Sequence, residues 1–123
     1  MPDQTNDNDS DGQEEMLLEQ SDQEQKLVME INDPDVISEF LHKRKTTILE
    51  LLINRERTIR ELSDEMDLNP GSVKRYLDSL RKQGLVYQTK ITQNQWGIRL
   101  KYYSTTAKKF LITMTFPKEK SSN

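Results

Sequence analysis

Apolar side chains recur three and four positions apart through Val36, Ile37, Phe40 and Leu41, and again through Ile48, Leu51 and Leu52, which predicts helix from Asp33-Pro34 onward. Asp33 can cap the free amides, and proline at the first helical position loses no hydrogen bond. The polar run HKRKTT between the two clusters leaves one long helix and two stacked ones both open. A further helix opens at Thr58, where Thr58-Ile59-Arg60-Glu61 has the form of a capping box. Ile59, Leu62 and Met66 give it an apolar face, and Leu68 plugs the turn that follows. Asn69-Pro70 starts the next helix by the same cap-and-proline device, and Gly84 ends it where a left-handed residue is wanted. From Leu85 the period falls to two, with Leu85, Tyr87 and Thr89 against Val86, Gln88 and Lys90. A second extended run, Ile98 to Tyr103, follows the polar connection QNQWG, so a β-hairpin is expected. Thr105 or Thr106 is then expected to cap a last short helix containing Phe110, Leu111 and Met114, closed by Pro117.

The first 26 residues are Asp, Glu, Gln, Asn and Ser with few apolar side chains. That composition buries too little surface to offset the entropy of ordering, so disorder is expected, with at most a transient helical turn at Met16–Leu18. Leu27 to Ile31 alternates weakly, as a short strand or as plain extended chain. The expected organisation is an acidic disordered tail at 1–32, a folded domain at 33–117 and a flexible C-terminus at 118–123. The fold class is mainly α with a small β-hairpin (α+β).

Charge sharpens this picture. The chain of 123 residues has a net charge of −3, which hides a division. Residues 1–35 hold 12 Asp/Glu and one Lys, whereas residues 36–123 hold 17 Lys/Arg and nine acids. Within 68–118 there are ten Lys/Arg and a single acid, Asp78. A helix-turn-helix in a basic half-chain points to nucleic acid, because phosphate neutralisation supplies much of the affinity in such complexes.

The same elements resemble the winged helix-turn-helix transcription regulators, particularly the ArsR-type branch common in bacteria and archaea. The resemblance spans roughly 33–112. It is carried by DPDVISEFLHKRKTTILELL, by TIRELSDEMDLNPGSVKRYLDSLRKQGLV and, for the wing and its exit, by GIRLKYYSTTAKKFLI. Its most specific piece is the spacing of Val73, Leu77, Leu80, Gly84, Leu85 and Val86. The resemblance implies a winged helix-turn-helix domain that binds double-stranded DNA as a homodimer in the cytoplasm. Two departures stand out. Lys43 and Lys45 occupy places where the ArsR-type leading helices often carry a proline and then an arginine, and the cysteines used by metal-sensing members are absent.

On a helical wheel Val73, Leu77 and Leu80 point inward, while Arg75 and Lys82 point away. In this motif the second helix enters the major groove and its N-terminal residues meet base edges. Asn69, Ser72 and Arg75 are therefore the expected base readers. Gly71 and Ser79 flank the outer face, and Lys74 is expected at a phosphate. In the hairpin Lys90, Arg99 and Lys101 alternate with apolar neighbours, which places them on one face as a backbone or minor-groove contact. Trp96 at the loop tip either wedges against the nucleic acid or folds back on the hairpin. Arg55, Arg57 and Arg60 are placed to hold flanking phosphates.

Other chemistry has little to work with. There is no cysteine and one histidine, His42, so neither a thiol nucleophile nor an unaided zinc site is expected, and no cofactor is implied. No apolar run approaches the roughly 18 residues of a membrane span. No glycine-rich phosphate loop appears, and an enzyme is not expected. Two other binding classes remain: a winged helix that binds protein within a larger complex, and one that binds RNA through the wing and Trp96. The acidic tail is expected to act as a solubilising segment, or else to fold over the basic reading face and compete with phosphate.

Overall fold

The computed structural model describes residues 14–117. The expectations for residues 1–13 and 118–123 lie outside the described residues.

The described residues form four helices, a four-stranded sheet and a two-stranded sheet. Helix α1 (Pro34–Ile37) is a single turn capped by Asp33, whose carboxylate accepts from the Asp35 amide at 2.9 Å. It runs into a 3-10 turn at Ser38–Leu41. His42 then goes extended (φ −89°, ψ 116°) and its ring nitrogen caps α2 (Lys43–Asn54) by accepting from the Lys45 amide. Of the two arrangements the sequence left open, the broken helix is the one adopted. Helix α3 (Ile59–Met66) carries the complete capping box, with Glu61 N donating to Thr58 and Thr58 N to the Glu61 carboxylate. Asp67 leaves the helix in a left-handed conformation, and Leu68 packs on the core below it. Helix α4 (Pro70–Lys82) is capped by Asn69. Gly84 follows at φ +78°, the region where a Cβ would be strained.

Ile48, Leu52, Leu62, Val73, Leu77, Leu80 and Leu85 are sealed from solvent. Burial of a side chain of this size contributes about 1.5–3 kcal/mol, so the interlock of α2, α3 and α4 is set by these residues.

The wing hairpin is β4 (Val86–Asn94) and β5 (Arg99–Thr105), with a bulge between Gln88 and Lys90. The two-residue strand β3 (Arg57–Thr58) pairs with β5 on one side. On the other side lies a strand that hydrophobic patterning does not announce, β1 (Glu15–Gln20), antiparallel to β4 in the order β1-β4-β5-β3. Residues 15–20 are thus ordered as a strand rather than a disordered stretch or a helical turn. The reason is the open edge of β4, whose backbone groups pair with any extended segment regardless of its composition. The Glu15 carboxylate reinforces the seat by accepting from Thr92 Oγ1 at 2.8 Å and from the Tyr102 hydroxyl at 2.7 Å. Burial and that carboxylate both hold the Tyr102 hydroxyl in its protonated form, raising its pKa well above the usual tyrosine range.

A second correction concerns the C-terminal end. Phe110, Leu111 and Ile112 form strand β6, not a helix, and β6 lies parallel to β2 (Met29–Ile31). Of the segment 27–31, Met29–Ile31 is therefore a strand, and it supplies the partner that draws 110–112 out of helix. Gln25 prepares this meeting by donating to Thr105 Oγ1 at 3.0 Å and to Thr105 O at 3.2 Å. Phe110 then stacks edge-on against Phe40, with ring centres 5.5 Å apart. The folded unit accordingly includes segments from 14–32 that composition alone assigned to the tail.

Candidate nucleic-acid interface

Helix α4 buries Val73, Leu77 and Leu80 and turns Arg75, Arg81 and Lys82 outward. Among the described residues neither Arg75 nor Lys82 has a carboxylate within ion-pair distance. Lys74 is different: its ammonium holds Asp78 at 2.9 Å, one turn along the same face. This pair explains the lone acid of the basic region, which neutralises one of its own cations. Asn69 spends its side-chain oxygen on the Ser72 amide at 2.9 Å, so it is a cap first, with its NH2 group left over. Ser72 is half-buried beside it, and Gly71 is exposed at the start of the helix.

Ser79 does not face outward as expected. Its hydroxyl donates to Glu39 at 2.9 Å and accepts from Lys45 Nζ at 3.0 Å, and Glu39 and Lys45 pair at 3.0 Å. Both charged side chains are largely buried, so this three-way contact fixes α4 against the 3-10 turn and α2. Sequence reasoning missed the contact of Glu39 and Lys45 with Ser79, because it joins three segments far apart in the chain and nothing in their local spacing signals it. Tyr76 is half-buried, as the wheel implied, and lies 5.0 Å from the His42 ring.

Arg57 is also not available to phosphate. It is buried, its Nε donates to Glu65 at 2.8 Å, and its Nη1 donates to the carbonyls of Leu51 and Arg55. It ties the end of α2 to α3. Arg55 stays more exposed and lies near Glu61 and Glu65 at 3.8 and 3.9 Å.

The wing sorts its cations onto two faces. Arg99 and Lys101 alternate on one face of β5, both exposed. Lys90 sits opposite Tyr102, on the other face, because the bulge before it shifts the register. There it pairs with Glu56 at 3.0 Å and lies 4.7 Å over the Tyr102 ring. Burial opposes ionisation of Glu56, but the Thr89 hydroxyl and the Lys90 ammonium outweigh it and hold its carboxyl below the usual range. The single charged face expected for Lys90, Arg99 and Lys101 is thus replaced by two, one free and one internally neutralised.

Arg60 completes the free set. It lines a cleft of about 210 Å³ together with Thr58, Ile59, Arg99, Leu100 and Lys101. Three cations from the first helix of the helix-turn-helix and from the wing therefore border one opening, and no carboxylate is among its lining residues. At the hairpin tip Trp96 is 66% exposed, so it does not fold back on the strands. The turn beneath it is hydrogen-bonded, with Asn94 Oδ1 accepting from the amides of Trp96 and Ile98, both at 2.9 Å, and Gly97 at φ +80°.

No helix among the described residues is long and apolar enough to cross a membrane, and none of their His, Asp and Glu side chains group as a metal site would require.

The sequence signature described as "Bacterial regulatory protein, arsR family" matches residues 42–88, from the cap of α2 to the start of the wing. A crystal structure of Rv0081 from M. tuberculosis aligns with 26% identity over 59% of this chain and 68% of that one, with a TM-score of 0.50. Reduced HlyU from Vibrio cholerae N16961 aligns with 26% identity over 57% and 67%, at 0.49. The transcriptional regulator HlyU from Vibrio vulnificus CMCP6 aligns with 26% identity over 57% and 67%, at 0.48. A search of curated proteins finds no match.

Proposed function

We propose that the chain is a transcription regulator that binds duplex DNA, a reading supported by the match of residues 42–88 to the arsR family of bacterial regulatory proteins. Helix α4 enters the major groove, with Arg75 as the principal base reader and Asn69, Gly71 and Ser72 at its leading end. Arginine offers two hydrogen bonds to a guanine edge, a pairing that discriminates by about 1–3 kcal/mol. Lys82 follows the backbone, while Lys74 keeps its pair with Asp78. Arg60, Arg99 and Lys101 hold a flanking phosphate, and Trp96 meets the sugar or base edge at the wing tip. Two copies bind paired half-sites, since one reading helix contacts too few base pairs for useful specificity.

The observation that carries this reading is the selective pairing of cations. Lys45, Arg57 and Lys90 are tied to carboxylates inside the fold, whereas Arg60, Arg75, Lys82, Arg99 and Lys101 have none within reach among the described residues. A face evolved only for solubility has no cause to keep its carboxylates away from those five.

Fluorescence-anisotropy titration of the full chain with random-sequence duplex, then with a selected operator, is the test. Arg75→Ala should weaken operator binding roughly 5- to 150-fold, the range corresponding to one bidentate pair, while changing random-duplex affinity far less. Absent binding to any duplex would turn the assignment to a protein-interaction winged helix. Preferential binding of RNA over duplex DNA would equally overturn it.

A further inference from the structure

The two-stranded unit of β2 and β6 keeps one open edge that is both apolar and hydrogen-bond deficient. In the parallel register Met29↔Phe110, Glu30↔Leu111, Ile31↔Ile112, the Met29 amide donates to Lys109 O and the Thr113 amide to Ile31 O. Parallel pairing with this phase directs the backbone groups of Leu111 toward β2 and those of Phe110 and Ile112 away from it. β6 has no other strand neighbour, and the outward N–H and C=O groups of Phe110 and Ile112 have no partner among the described residues. Around this edge lie exposed Leu111 (51%), Ile112 (41%) and Met114 (71%), with Leu27 and Val28 on the adjoining segment. An unpaired strand edge flanked by apolar side chains is a template for another strand.

We propose that the occupant is β6 of a second copy, joined antiparallel about a two-fold axis at Leu111. The geometry selects this mate. A two-fold at Leu111 sets Phe110 against Ile112 of the second copy and Ile112 against its Phe110, so the four orphan groups on each strand satisfy one another. Lys109 then faces Thr113 of the second copy, and no like charges meet. The opposite edge fails the same test: joining β2 to β2 about Glu30 sets two carboxylates directly opposite, which is destabilising. The result is a continuous four-stranded sheet, β2-β6-β6-β2, across the dimer. This inference rests on the reading of the chain as a paired regulator and names the surface that does the pairing.

The chain has no cysteine, so a single introduced one reports only on its own mate. The Leu111 pair is of the non-hydrogen-bonded kind, with Cα atoms about 4.5 Å apart, inside the disulfide span of about 4.4–6.8 Å. The experiment is sedimentation of the full chain, followed by mild oxidation of Leu111→Cys and, separately, Glu30→Cys, read on non-reducing gels. A dimer mass, with cross-linking by Leu111→Cys and little by Glu30→Cys, is the expected result. Leu111→Lys, an exposed change that keeps the fold by circular dichroism, should raise the dimer dissociation constant at least tenfold. A dimer mass without the Leu111→Cys cross-link overturns this surface and leaves the paired regulator intact. A monomer mass overturns both the pairing and its surface, while Arg75-dependent DNA binding is tested independently.

Discussion

Lys101 and Lys90 stand on the same wing, a few residues from each other in the sheet, yet the proposed DNA binding expects opposite contributions from them. Lys101 is exposed with no carboxylate partner among the described residues, and Lys90 is already neutralised by Glu56 at 3.0 Å. Each phosphate neutralised on duplex DNA adds about −0.9 to the slope of log K against log salt. Four free cations assigned to the backbone, Arg60, Lys82, Arg99 and Lys101, therefore imply a slope of about −3.6 per protomer. Lys101→Met should reduce its magnitude to about 2.7. Over a fourfold change from about 50 to 200 mM salt, 0.9 × log 4 is about 0.54, so the affinity gap between variant and parent should narrow about 3.5-fold. The comparison is the double variant Lys90→Met/Glu56→Gln, which removes the internal pair at constant net charge and should leave the slope within error of the parent. Anisotropy titrations on one duplex at four or five salt concentrations supply the data. A parental slope for Lys101→Met, or an equal drop for the double variant, would refute the division of the wing into a free and a neutralised face.

Two further outcomes follow from local structure. The Glu56 carboxyl is held below its ordinary value of 4.5, so its contribution to stability is present above that pH and disappears as pH falls through the lower folded-state value. Urea unfolding should accordingly show Glu56→Gln less stable than the parent at neutral pH, with the two curves converging as pH falls through the lowered folded-state value; a gap that persists in acid would point to lost packing instead. Gly84 sits at φ +78° with open space where a Cβ would go, so Gly84→Ala should cost only the left-handed backbone penalty, about 1–2 kcal/mol. A loss beyond about 4 kcal/mol would mean that the turn from α4 into the wing collapses.

Local signals in the chain were sufficient for the helical half of this protein. The caps at Asp33, Thr58 and Asn69, the proline after two of them and the glycine after α4 act through neighbours within four residues, so they are legible without knowing the fold. The inward direction of Val73, Leu77 and Leu80, and the outward direction of Arg75 and Lys82, follow from helical periodicity in the same way. So did the basic character of residues 36–123 and the resemblance to winged helix-turn-helix regulators, whose arsR-family signature matches residues 42–88. Pairing between distant segments was decided only in three dimensions. Glu15–Gln20 becomes a strand because β4 offers an edge some 70 residues later, and Phe110–Ile112 becomes a strand because Met29–Ile31 lies beside it. Neither segment carries that outcome in its own periodicity. The fate of each cation was likewise tertiary. Arg57 and Arg60 are three residues apart and read alike in sequence, but one is buried against Glu65 and the other opens onto the cleft with Arg99 and Lys101. A charge is available to a phosphate only where the fold brings no carboxylate to it first, and that depends on contacts that sequence spacing does not encode.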